Sequence, residues 1–299
     1  MSIFLRALAH SPLWLLHGLG VALGWLTYAL SPTYRTRLKA NARAAGVPAA
    51  GVRAAVAQAG KMAAELPVLW LRPRGELLGG RLSWTGTEHV EAAIRAGRGV
   101  LYLTPHLGCF EVTAQALAER FGDRMPLTVL YRPARKAWLR QWMEGSRDRP
   151  GMHAVPTTLA GVRQMIRALR KGESIGLLPD QVPPQGQGEW APFFGRPAYT
   201  MTLAARLAQQ TGAQVLLIWG ERLPWGRGFR VHVTPPPAEL QDLLVPGGEG
   251  QADPAQSAAA INRAMEALIL QRPEQYLWGY HRYKEPKPQP ASAVAGEAA

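Results

Sequence analysis

The sequence of 299 residues predicts an α/β fold, with helices around a central, largely parallel (mixed) sheet and an amino-terminal membrane-anchoring helix. Two observations carry this expectation. From residue 82 onward, short apolar runs alternate with helical patterns, the rhythm of strand-helix-strand units. Ahead of them, residues 13–30 (LWLLHGLGVALGWLTYAL) form an uncharged apolar stretch.

That stretch is bracketed by Ser11-Pro12 and Ser31-Pro32. Pro12 suits the first turn of a helix, and Pro32 ends one. At 1.5 Å per residue it rises about 27 Å, slightly short of a hydrocarbon core. Spanning with snorkelling flanks and lying shallowly in one leaflet are both open. Arg35, Arg37, Lys39 and Arg43 follow it and favour a cytoplasmic body. Residues 1–32 are read as the anchor, 33–284 as one folded domain, and 285–299, rich in Pro and Ala, as a disordered tail. Residues 33–78 read as helical and connecting sequence, including the Ala- and Leu-rich run 52–71. Strands are expected at 82–84, 100–104, 127–131, 175–179, 214–219 and 229–234. Helices are expected at 88–96, 110–120, 137–145, 159–171, 200–210 and 255–270. Pro224, Gly226 and Gly228 separate the last two strands and suggest an antiparallel pair.

The chain carries 34 Lys+Arg against 21 Asp+Glu, a net charge of +13, which attracts anionic partners. Residues 1–80 hold nine basic residues and two acidic ones (Glu65, Glu76) beside the apolar segment, favouring an anionic membrane surface. No helix-turn-helix, zinc-finger or aromatic RNA-binding pattern supports nucleic acid. The single cysteine, Cys109, excludes an internal disulfide, and neither CxxC nor HExxH spacing points to a metal.

The sharpest motif is Thr104-Pro105-His106-Leu107-Gly108-Cys109-Phe110-Glu111, at a junction between an apolar strand and a helical pattern. Five residues apart on one helix, His106 and Glu111 would point away from each other. They meet only if His106 sits on the loop and Glu111 on the first turns. Glu111 would then accept a hydrogen bond from one ring nitrogen and fix the tautomer, leaving the other nitrogen as a general base for a hydroxyl.

This His-x4-Glu block resembles the signature of the lipid A biosynthesis (lauroyl/myristoyl-type) acyltransferases, within the lysophospholipid acyltransferase superfamily. Tyr131-Arg132-Pro133, the run 169–173 leading into Pro179-Asp180-Gln181, the segment 190–198 and the segment 273–278 resemble the further blocks of that family, in the expected order. The resemblance implies that residues 33–284 are an acyltransferase domain at the bacterial inner membrane, facing the cytoplasm. It would transfer a fatty acyl group from acyl carrier protein, or from acyl-CoA, to a hydroxyl of a lipid A precursor glycolipid. The thioester is the co-substrate, and neither a cofactor nor a metal is implied. His106 and Glu111 would be catalytic. Arg132 would face an oxyanion or a substrate phosphate. Asp180 and Gln181 would position the acceptor or the helix near His106, and Arg196 would bind phosphate. Trp190, Phe193 and Phe194 would line an acyl-chain pocket. The alternative readings are acylation of another glycolipid or an aminolipid, and hydrolysis by a membrane-bound thioesterase or lipase, each using the same His-Glu pair.

Other patterns fail on context. Gly172-Glu173-Ser174-Ile175-Gly176 spells G-x-S-x-G, but a helical pattern precedes the serine and a strand follows, the reverse of a nucleophile elbow. Gly186-x-Gly188-x-x-Ala191 lacks the strand-turn-helix of a dinucleotide loop. Cys109 reads as a small hydrophobe on a helix face, not a nucleophile. The remaining histidines lack metal spacing.

Overall fold

A computed structural model of the chain describes residues 10–73, 75–131, 149–245 and 253–288. Three helices open it: α1 (Leu13–Leu30), α2 (Pro32–Ala44) and α3 (Ala49–Leu71). Alternating strands and helices follow: β1 (Leu82–Thr85), α4 (Thr87–Ala96), β2 (Val100–Leu103), α5 (Phe110–Phe121), β3 (Leu127–Tyr131), β4 (Met152–Pro156), α6 (Leu159–Arg170) and β5 (Ser174–Leu177). The carboxyl-terminal half adds β6 (Gly188–Phe193), β7 (Arg196–Met201), α7 (Leu203–Thr211), β8 (Gln214–Arg222), β9 (Phe229–Thr234), α8 (Ala238–Leu243) and α9 (Pro254–Ile269).

Seven strands form one sheet in the order β1-β9-β8-β2-β5-β3-β4. β8, β2, β5, β3 and β4 run parallel, while β9 is antiparallel to β8 and carries β1 alongside it. The sheet is therefore mixed, and the expected β8–β9 pair is antiparallel. Alternate residues of the central strands serve two separate cores. Leu101, Leu103, Leu217 and Trp219 pack on one face with residues of α2, α3, α6, α7 and α9. Val100, Tyr102, Leu216 and Ile218 pack on the other with residues of α1, α4 and α5. Burial on both faces is why β2 and β8 read as unbroken apolar runs.

Sequence patterning did not single out β4 or the hairpin of β6 and β7. β4 sits at the sheet edge, and His153 and Pro156 break its apolar pattern. β6 contains Pro192 and reads as irregular. Its partner is fixed by the two-residue turn at Phe194 and Gly195, with φ of 46° and 70°, the backbone a tight hairpin requires. The expected helix 137–145 lies outside the described residues.

α1 packs antiparallel along α3 at unusually short range. A Cβ on Gly60 would lie 1.9 Å from the Gly20 carbonyl oxygen, and one on Gly24 would lie 2.3 Å from that of Val56. The carboxyl end of α3 is clasped by α5. Residues 111, 115 and 119 recur every fourth position and so share one helix face. Along it, Glu111 accepts from the Trp70 indole (3.2 Å), Gln115 accepts from Arg72 (2.9 Å), and Glu119 accepts from the backbone N–H groups of Leu78 (2.7 Å) and Gly79 (3.1 Å). Arg149 closes the same helix end by donating to the carbonyls of Leu69 (3.0 Å), Arg72 (3.0 Å) and Pro73 (3.1 Å), where a cation offsets the helix dipole.

Replacing Gly60 by Ala puts a methyl into the α1 backbone. The expected loss is about 1–3 kcal/mol, by the usual cost of overpacking, read as a lower urea midpoint.

Candidate active site

The parallel register of β2 and β5 builds the site. Leu103 pairs with Leu177, and His106 and Asp180 each lie three residues beyond that pair. Adjacent parallel strands thus deliver the two residues side by side at the carboxyl edge of the sheet, the edge at which α/β folds carry their sites. β3, also parallel to β5, ends at Tyr131.

His106 is held at three atoms. Its ring Nδ1 lies 2.7 Å from Asp180 Oδ1, and its backbone N–H donates to Asp180 Oδ2 at 2.9 Å. Its Nε2 lies 3.0 Å from the Gln181 side-chain nitrogen. One proton arrangement satisfies all three contacts: Nδ1–H donates to the carboxylate, and the Gln181 amide donates to the Nε2 lone pair. Nε2 is then the basic atom, on a side chain that keeps 15% of its surface exposed. The Phe110 ring meets the imidazole edge-on, with centroids 4.7 Å apart. Asp180 is buried. Burial alone would push its carboxyl up, but the His106 ring and backbone N–H hold it below the usual carboxylate range.

The expectation that Glu111 fixes the tautomer is corrected here. Glu111 stands in the first turn of α5 and accepts from Trp70, while the carboxylate at Nδ1 belongs to Asp180. The physical reason is directional: a residue inside α5 points along the helix face toward α3, whereas Asp180 leaves the strand next to β2. Gln181 meets the other ring nitrogen, and Arg132 lies outside the described residues.

The loop that carries His106 is pinned at successive backbone groups. The His106 carbonyl accepts from Leu277 N–H (3.2 Å), Gly108 N–H donates to the Gln275 carbonyl (3.0 Å), and Cys109 N–H donates to the Gly220 carbonyl (2.8 Å). Gly108 has φ of 60°, and a Cβ there would lie 2.0 Å from the Gly220 oxygen, so only glycine fits. The Gly108 carbonyl accepts from Arg222 at 3.1 Å. Arg222 also donates to Gln58 (3.0 Å) and grips Glu65 of α3 through two guanidinium nitrogens, one of them at 2.8 Å. Glu65 in turn bonds His17 of α1 at 2.7 Å. Glu65 is 0% exposed, and burial would push its carboxyl up, but Arg222 and His17 hold it below the ordinary range. None of this chain from α1 to the site loop was legible in the sequence. The segment 273–278 was noted only as a block of likeness, and His17 looked like one polar letter in an apolar helix.

The residues expected to line an acyl pocket separate. Phe193 is buried in the core, between Phe194 and Tyr283. Its strand, β6, packs on α9. Trp190 is exposed against Tyr199, with centroids 5.5 Å apart, and half-buried Phe194 meets Trp278 at 5.5 Å. Arg196 is exposed and stacks over the Tyr283 ring, 3.9 Å from its centroid. Ser174 opens β5, buried, and its hydroxyl donates to the Pro126 carbonyl. Burial, with the Glu65 charge nearby, pushes the Cys109 thiol well above its usual value, so it is no thiolate nucleophile.

Fold and site together define an α/β protein whose site histidine rides a strand-to-helix loop, with its Nδ1 held by a buried aspartate that follows the neighbouring strand. The family model of bacterial lipid A biosynthesis acyltransferases matches residues 1–285, and the chain belongs to that family. Among similar proteins, the lipid A biosynthesis lauroyltransferase of Escherichia coli (strain K12) is 29% identical over 209 residues, covering 67% of this chain and 62% of the relative. The palmitoleoyltransferase of the same organism is 28% identical over 200 residues, covering 67% and 60%. Its myristoyltransferase is 28% identical over 233 residues, covering 77% and 66%. The matched region thus spans roughly 60–66% of the length of these relatives.

Replacing Glu65 by Gln leaves Arg222 buried without its counter-charge. We expect a loss of about 3–5 kcal/mol at neutral pH, measured by denaturant unfolding. The carboxyl is lower in the folded state than in the unfolded chain. Its contribution is therefore full above about pH 4.3, the ordinary glutamate value, and is lost as pH falls through the lower folded value. The Gln variant loses that acid-side slope.

Proposed function

We propose that the protein transfers a fatty acyl group from the thioester of acyl carrier protein, or of CoA, to a hydroxyl of a lipid A precursor, with His106 Nε2 as the general base. Family membership supplies the reaction class. The observation that carries the mechanism is the His106–Asp180–Gln181 arrangement, in which Asp180 takes Nδ1 and Gln181 meets Nε2 of a ring whose side chain keeps 15% of its surface exposed.

In this reading the acceptor hydroxyl displaces the Gln181 amide from Nε2. Its proton passes to Nε2 as its oxygen attacks the thioester carbonyl carbon. The tetrahedral oxyanion collapses, the C–S bond breaks, and the leaving thiolate takes the proton back from the imidazolium. A thioester is already activated, so no acyl-enzyme is needed. Asp180 stabilises the transient imidazolium and keeps the tautomer. Glu111 acts by holding the start of α5 against Trp70 of α3. Arg132, following β3, is the proposed cation for the oxyanion or a lipid phosphate. The basic surface suits both an acidic carrier protein and a phosphorylated glycolipid at the cytoplasmic face of the bacterial inner membrane.

The test is to incubate purified protein with acyl carrier protein thioesters and a lipid A precursor and read the products by mass spectrometry. A gain of one acyl group, abolished by His106→Ala, is the expected result. Free fatty acid without acylated acceptor would replace this reading with a thioesterase.

Asp180→Asn separates tautomer control from folding. Asp180 accepts two N–H donors from His106, and an asparagine offers only one such oxygen. Its NH2 then faces the ring and favours the tautomer whose Nδ1 is the acceptor, which puts the proton on Nε2. We expect kcat to fall by about 10³–10⁴-fold with a near-native melting temperature.

A further inference from the structure

α1 is inside out for a helix docked on a protein. Its polar side chain, His17, and its Gly20 and Gly24 face α3, while its outer face carries Trp14, Leu15, Leu19, Leu23, Trp25, Leu26 and Leu30, all exposed. The only hydroxyl on that face, Thr27, turns its bond inward to the Leu23 carbonyl at 2.8 Å. A water-facing helix shows the opposite pattern. One further bulky side chain extends this surface from elsewhere in the chain. Trp225, in the turn between β8 and β9, is 88% exposed and held at φ of 59°, a region where bulky residues are rare. The next residue, Gly226, abuts the backbone of Leu13 and Trp14.

The docking of α1 decides how such a surface meets lipid. Contacts pair residue 17 with 65, 20 with 60 and 61, and 24 with 56, so α1 and α3 run as one antiparallel unit. α3 carries Arg53, Gln58, Lys61 and Glu65 and is tied into the sheet through Arg222. Threading α1 across a bilayer would drag those charges into hydrocarbon. Residues 10–47 contain no Asp or Glu, whereas Arg35, Arg37, Lys39 and Arg43 follow the apolar face. Arg35 reaches back to the carbonyls of Tyr28 and Ala29, both at 3.2 Å, and Lys39 sits over the Tyr28 ring, so cations rim the carboxyl end of the stripe. Arg227 stands beside Trp225 at the other end.

We infer that α1 lies in the plane of one leaflet, with the Trp225 turn as a second insertion point, and that the occupant of this face is an anionic bilayer surface. The stripe supplies apolar burial, Trp14 and Trp225 sit at headgroup depth as tryptophan prefers, and the cations engage acidic lipid. The protein is then monotopic. This rests on the membrane-associated reading above, but its test needs no turnover, so a failed acyl-transfer assay and a failed docking result remain separate outcomes.

The experiment places a fluorophore on Leu15→Cys, Leu19→Cys, Leu23→Cys and Leu30→Cys in turn, with the buried Cys109 left in place. Each protein is bound to vesicles of phosphatidylglycerol and phosphatidylethanolamine carrying quenchers at two depths. The expected result is one shallow depth for all four positions. Trp225→Ser should weaken binding to these vesicles about tenfold, with unchanged thermal unfolding, and binding to neutral phosphatidylcholine vesicles should be weaker still. Depths that pass from one interface through the bilayer centre to the other would overturn the inference in favour of a spanning helix. Four labels shielded from lipid quenchers in a dimeric protein would overturn it in favour of a second copy as the occupant. Unaltered vesicle binding by Trp225→Ser would remove the turn from the surface.

Discussion

The structure hangs on one buried ion pair. Arg222 leaves the end of β8, the strand beside the one that carries His106, and its guanidinium has three tasks: it neutralises Glu65, reaches Gln58, and donates to the Gly108 carbonyl. Buried pairs of this kind seldom add much net stability, since desolvation consumes most of the attraction. What this one supplies is position. It fixes α3 to the sheet, α1 to α3 through His17, and the site loop to both, so an error at one place propagates to all three.

The imidazole depends on geometry of a different kind. β2 and β5 are hydrogen-bonded in a register that leaves no freedom in where their next residues emerge, and Asp180 meets His106 for that reason. Gln181, the next residue, turns its amide to the opposite ring nitrogen. Two consecutive residues thus grasp both nitrogens of one ring, from a strand end that is itself buried in the sheet. Such a ring does not need a flexible lid to be held in the right tautomer.

Much of this was readable in the chain. Continuous apolar runs marked β2 and β8, because strands covered on both faces need continuous hydrophobicity, while β9 showed by its alternation of apolar and polar residues. His106 stood out because a polar block follows a buried strand and opens a helix. The edge strand β4 and the β6–β7 hairpin escaped because Pro156 and Pro192 spoil alternation, and because a turn built on Phe194 hides the usual Asn-Gly signal. The role of Glu111 escaped for another reason. Sequence distance told that a carboxylate lay near the histidine, while the carboxylate on the ring came from far along the chain. No local pattern encodes a parallel register. His17, Glu65 and Arg222 were illegible for the same reason: their partnership exists only across tertiary contacts.

The seating of α1 has a practical consequence for handling the protein. Apolar leader helices are routinely clipped off to make membrane enzymes soluble, on the view that the remainder is indifferent to them. Here the helix fills a groove lined by Gly60 and closes over Glu65, supplying one of that carboxylate's partners. Cutting it away would open the buried pair to water on one side and loosen the brace behind the loop that carries His106. Exposed apolar surface is better reduced by repainting the outer leucines as polar residues than by shortening the chain.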